Sequence, residues 1–166
     1  MTSGKTTEMQ ELRGKMAKCV FLDSDVLIDV FANRGPFYEN SAAILQLAET
    51  GKCLAFTSPL VIANVHYVLQ RFSNKVVAGS AIRKIRTFVG VVDMNQRIVD
   101  RALNSDLPNF GDALQIYSAE NAVMDLIVTR NSDHYKTSSI SAMSPVEAMA
   151  VLNQRVGYGR PTSSST

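Results

Sequence analysis

Residues that staple or anchor a chain are scarce in this sequence. It has two cysteines, Cys19 and Cys53, and two histidines, His66 and His134. Each cysteine sits in a short apolar run rather than a C-x-x-C pair, and the histidines lack partners at zinc-ligand spacing. Neither a disulfide framework nor a structural zinc is signalled, so buried free thiols and ordinary surface histidines are expected. No run of about 18 uncharged apolar residues occurs. The opening "MTSGKTTEMQELRGKMAK" has no apolar stretch of signal-peptide length, and a soluble, cytoplasmic protein is expected. Acids are missing altogether between Glu49 and Asp93, where Lys52, Arg71, Lys75, Arg83, Lys84 and Arg86 fall. From Asp93 to Asp133 the sign reverses, with seven acids against Arg97, Arg101 and Arg130. One basic and one acidic segment in a small chain suggest a polyanion held by one surface and presented to another; a solvated helix face is the plainer explanation.

What is present is enough for one core: 166 residues, 46% of them hydrophobic. Residues 1–17 read as a flexible leader and 154–166, with "GYGRPTSSST", as a disordered tail, leaving a domain over 18–153. Within it "CVFL" (19–22), "CLAFT" (53–57), "VGVVD" (89–93), "LIVT" (126–129) and "ISAM" (140–143) are continuous apolar runs of the kind buried in parallel sheets. Helical patterns lie between them. "ENSAAILQLAET" is stopped by Gly51, Ser58-Pro59 caps and opens another helix, and "SPVEAMAVL" opens with a capping box. Phe72 belongs to a helical apolar stripe and is expected in the core. Alternating strands and helices imply a three-layer α/β/α sandwich around a mostly parallel sheet of roughly five strands.

Such sheets place their crevice beyond the carboxyl ends of the strands. Asp23 directly follows "VFL", Thr129, Asn131 and Asp133 end or follow "LIVTR", and Asp112 lies in the first turn of the helix that leads into that strand. Carboxylates gathered at one rim repel one another and raise one another's pKa unless a cation balances them, and a hard divalent ion is the economical answer. Simpler roles exist for some of them. Asp25 can cap the helix "VLIDVFAN", Asp29 can face solvent, and Asp112 can complement a helix dipole. Asp23 has no evident structural duty.

The motifs resemble those of the PIN-domain family of metal-dependent ribonucleases, which includes VapC-type toxins of toxin–antitoxin pairs. "FLDSDVLID" is similar to the family's opening motif, "FGDALQIYSA" to its third acidic motif and "LIVTRNSDHY" to its fourth. The resemblance implies that Asp23, Asp112 and Asp133 form the catalytic and metal-binding set, holding Mg2+ or Mn2+. Ser24, Asp25, Asn64, Thr129 and Asn131 would support them. Arg71, Lys75, Arg83, Lys84 and Arg86 would bind the RNA backbone, with Tyr67 as a local stacking candidate. An antitoxin partner and a homodimer are implied by the resemblance alone. Asn64 and Asn131 stand where the family has acids, which favours as an alternative a catalytically weakened RNA- or partner-binding module. "FLDSDVL" also fits the strand end of haloacid-dehalogenase phosphatases, but "GDALQI" lacks the second Asp that their later loop requires.

Overall fold

The computed structural model describes residues 17–154; the expected leader and tail fall, but for their innermost residues, outside the described residues. Five strands form one sheet: β1 (Cys19–Leu22), β2 (Leu54–Thr57), β3 (Val89–Val91), β4 (Leu126–Val128) and β5 (Ala142–Met143). They run in the order β3-β2-β1-β4-β5, and every neighbouring pair is parallel. The expected sheet is therefore observed, with each strand inside or matching its apolar run. Seven helices flank it among the described residues: α1 (Ser24–Phe31), α2 (Gly35–Glu49), α3 (Pro59–Phe72), α4 (Lys75–Ile85), α5 (Gln96–Leu103), α6 (Phe110–Asn121) and α7 (Pro145–Leu152).

Right-handed crossovers decide the layers. Moving from β1 to β2 to β3 puts α1 to α4 on one face. The return from β3 past β1 to β4 puts α5 and α6 on the other. Val20, Phe21, Leu22, Ile127 and Val128 are fully buried between the two layers, as expected for strands covered on both sides. A smaller cluster, Ile98, Ala102, Ala113 and Leu114, joins α5 to α6.

Local chemistry ends the elements where the sequence signals it. Ser58 caps α3 by accepting a bond from the Val61 N–H at 3.1 Å, and Gly51, at φ 71°, follows α2 in the left-handed region. Ser144 and Glu147 form the expected reciprocal box at the start of α7. Gly90 is a close-approach position: a Cβ there would lie 2.5 Å from the Phe56 ring of its paired strand. Phe72 departs from expectation. It is 74% exposed, because the buried stripe of α3 is Val61, Val65 and Leu69 and Phe72 lies at the last turn beyond the sheet. Cys53 is buried and Cys19 half-buried, and burial pushes the Cys53 thiol up to about 11.

Candidate functional site

The strand order reverses between β1 and β4, the strands from which the chain departs in opposite directions along the sheet. A crevice opens at such a switch point, at the carboxyl ends of both strands. The Asp23 N–H donates to the Val128 carbonyl at 3.0 Å, which aligns the ends of β1 and β4. The Thr57 hydroxyl donates to the Leu22 carbonyl at 2.8 Å and brings β2 to the same level.

Asp23 is itself the N-cap of α1, accepting from the Ser24 N–H at 2.6 Å, which corrects two expectations. The cap is Asp23, not Asp25, and Asp23 does have a structural duty. Its other oxygen accepts from the Thr129 hydroxyl at 2.9 Å. Asp25, on the first turn of α1, reaches across to the loop after β4. Its Oδ2 accepts from the Arg130 N–H at 2.9 Å and from the Asn131 side chain at 3.2 Å, while its Oδ1 is buried without a hydrogen-bond partner. Burial, then the charge of Asp23, pushes the Asp25 carboxyl up to about 6, against the opposing pull of the Arg130 N–H and guanidinium.

Asp112 enters from the other layer. Asn109 caps α6 by accepting from the Asp112 N–H at 3.1 Å, which sets the carboxylate on the first turn. One turn on, the buried Gln115 accepts from the Ser58 hydroxyl at 2.5 Å and ties α6 to the start of α3. Burial raises the Asp112 carboxyl; His134, 3.2 Å away, opposes that, and the charge of Asp23 adds to it. Asp23 and Asp112 thus come within each other's field from opposite layers of the sandwich.

Tyr135 lies beside them, 2% exposed, its buried hydroxyl approaching Asp23 without good hydrogen-bond geometry. Burial and the fields of Asp23, Asp112 and Asp25 hold that hydroxyl firmly in its protonated form. It is the last residue of "LIVTRNSDHY", and its inward position comes from the short 3-10 turn Ser132–Tyr135. The same turn corrects the expectation for Asp133. With Tyr135 inside, Asp133 faces out, its side chain 80% exposed and ion-paired with Lys136 at 2.8 Å, which lowers its pKa. Asp133 borders the same groove as Asp112 and His134, but it adds no charge among Asp23, Asp25 and Asp112. His134 is exposed, as expected, and is also the neighbour of Asp112.

Asp29 departs from expectation as well. It is fully buried rather than solvent-facing, gripped by Arg130 at 2.8 and 3.0 Å, bonded by the Ser41 hydroxyl at 3.1 Å and approached by Arg34 at 3.9 Å. Only the later Arg130 and Arg34 could have signalled this. Asn64 is exposed on α3. Among the expected RNA-contacting residues, Lys84 pairs with Glu49 at 3.4 Å and Arg86 donates to the Val89 carbonyl at 2.8 Å. Arg71 lies on the last turn of α3, about 18 Å along the helix from Pro59 at 1.5 Å per residue.

Charge balance tests whether a cation fits. Arg130 and Arg34 pair with Asp29; Arg130 also partly offsets the charge of Asp25, and His134 that of Asp112. Among the described residues no three His, Cys, Asp or Glu side chains close into a cage for an ion. Magnesium does not require one: it is held by one or two carboxylates and keeps several waters. Asp23 and Asp112, with the partnerless Asp25 oxygen and, close to Asp23, the Tyr135 hydroxyl to bind such waters, fit that kind of site.

Comparison with known proteins agrees with the architecture. A family model described as "PIN domain" matches residues 19–133. Ribonuclease VapC1 of Aquifex aeolicus is 24% identical over 121 residues, covering 70% of this chain and 83% of that protein. Among solved structures, VapBC2 from Rickettsia felis, bound to a DNA fragment from its promoter, superposes with a TM-score of 0.58 at 13% identity, covering 76% of this chain and 98% of that one. VapC20 of Mycobacterium tuberculosis, a toxin that cleaves the sarcin–ricin loop, gives 0.57 at 15% identity over 69% of this chain and 92% of that one.

Proposed function

The chain belongs to the PIN-domain family, and on that premise we propose that it is a metal-dependent endoribonuclease that hydrolyses RNA phosphodiesters, the toxin of a toxin–antitoxin pair. The observation that carries the reading is the approach of Asp23 and Asp112 from opposite layers, neither in an ion pair with a Lys or Arg among the described residues, beside the partnerless Asp25 Oδ1. Likeness to a protein named a ribonuclease supports RNA as the substrate, and likeness to a VapBC structure supports a protein partner.

Asp23 and Asp112 would hold Mg2+ or Mn2+. Bound there, the ion would supply Lewis acidity and neutralise charge developing on the phosphate. The chain does the rest. Ser24 and Thr129 fix both oxygens of Asp23, Asn131 and the Arg130 N–H hold one oxygen of Asp25, and Tyr135 keeps a hydroxyl proton available to a water or phosphate oxygen. Asp133 is left outside the ligand set. Arg71, Lys75 and Arg83, which form no ion pair among the described residues, would contact the RNA backbone without reading sequence.

The exposed Tyr67, Phe72, Val76 and Val77 on α3 and α4 support a homodimer. No helix among the described residues is long and apolar enough to cross a membrane, and a cytoplasmic site of action goes with an RNA substrate. Residues 18–153 would be the functional unit. The test is incubation of single-stranded RNA with manganese. Cleavage is expected, and it should vanish with EDTA and in Asp23→Asn; cleavage surviving both would refute the site. A second reading, a PIN-like binding module without catalysis, is favoured by Asn64 and by Asp133 facing solvent. Absence of manganese binding at millimolar concentration would select it.

A further inference from the structure

Beside Arg130, which holds Asp25 through its main chain, a groove of about 390 Å3 lies between the start of α2 and the start of α7. We propose that this groove is a nucleobase subsite, in which one unstacked base of a single-stranded RNA lies against Phe37 and the Arg130 guanidinium. The proposal rests on the ribonuclease reading above and adds to it where the nucleotide next to the cut is held.

Phe37 is 42% exposed although aromatic, and the Arg130 guanidinium covers one part of it, 3.9 Å from the ring centroid. Two guanidinium nitrogens, Nε and Nη2, are committed to Asp29, whose carboxylate is fully buried and carries the compensating charge. Arg130 therefore offers a flat, charge-balanced surface, which suits a base better than a phosphate. Asn40 borders the same groove with an exposed amide that makes no hydrogen bond among the described residues. It has both donor and acceptor atoms for a base edge. Pro145 and Val146 supply an apolar opposite wall, with Val146 58% exposed.

Position links the groove to the chemistry. The main-chain N–H of Arg130 donates to Asp25 at 2.9 Å, so the residue whose side chain borders the groove also holds a carboxylate of the rim. A phosphate at the rim leaves its neighbouring base within reach of Phe37. Aromatic stacking of splayed bases is how single-stranded RNA is commonly gripped, and the groove's volume lies within the range of about 300–1,000 Å3 that holds small ligands. The sequence alone points to Tyr67 for stacking; the fold offers Phe37, which stacks with Arg130 of the loop after β4.

The chain contains no tryptophan, so Phe37→Trp in an Asp23→Asn background gives a single fluorescent reporter in a protein unable to cut. A short single-stranded RNA is expected to quench it, and the same backbone made abasic is expected not to. In the otherwise unaltered protein, Phe37→Ala should raise KM for a short RNA roughly 5- to 100-fold, the worth of one stacked base, with little change in kcat. Phe37→Leu, which keeps apolar packing against Arg130, should show the same rise. Quenching by both oligonucleotides or by neither, or a wild-type KM in Phe37→Leu, overturns the subsite alone if the parent protein still cleaves RNA. Failure of the parent protein either to cleave or to retain RNA overturns the ribonuclease reading and the subsite with it.

Discussion

At Asp25 the protein holds a carboxylate where burial and Asp23 both oppose its charge, so its pKa rises from 3.8 to about 6. Between those values the folded state binds more protons than the unfolded one, and stability must fall as pH rises. The contribution is present in full below the unfolded value and is lost as pH passes about 6. A rise of this size corresponds to about 3 kcal/mol. Urea unfolding in EDTA from pH 4 to 7.5 should show that decline, and the difference between wild type and Asp25→Asn should carry it; a flat difference would contradict the burial argument. Val123 is a simpler case of local tension. It ends α6 at φ 55°, a conformation that a β-branched residue adopts at a cost, and it is 60% exposed. Val123→Gly should raise stability by about 1 kcal/mol in the same assay. Asp25 and Asp29 show why single residues are hard to read: one looks like a cap and the other like a surface acid, while the Arg130 groups that hold each lie more than a hundred positions away.

Elements were legible where their signals are local. The apolar runs gave all five strands, and Ser58, Gly51 and the Ser144–Glu147 box marked helix ends because capping is decided within one turn. The contacts between elements were not legible. The loop after β4 is fastened to α1 by the Asp29–Arg130 pair, with Asp29 wholly buried. Removing one partner of such a pair strands the other, so Arg130→Met should cost about 3–5 kcal/mol while Asp29→Asn with Arg130→Met costs less than the single change. Thermal or urea unfolding of the two proteins checks the order. The β2–β3 pairing has its own requirement in Gly90, where any side chain meets the Phe56 ring. Gly90→Ala should destabilise by about 1–3 kcal/mol as that ring is pushed aside.

For the molecule as a whole, parallel strands and a reversal of strand order create one crevice, and acids from both layers converge on it. The rim itself was readable, since Asp23 and Thr129 end neighbouring strands; which acids face inward was not, because a single 3-10 turn sends Tyr135 in and Asp133 out. On this reading Asp23 and Asp112 share a divalent ion that Asp133 does not touch. Calorimetric titration of the metal-free protein with manganese measures this directly. Saturable binding is expected in the wild type and in Asp133→Asn, and its loss is expected in both Asp23→Asn and Asp112→Asn. No binding in the wild type, or unchanged binding in Asp23→Asn, would contradict the account.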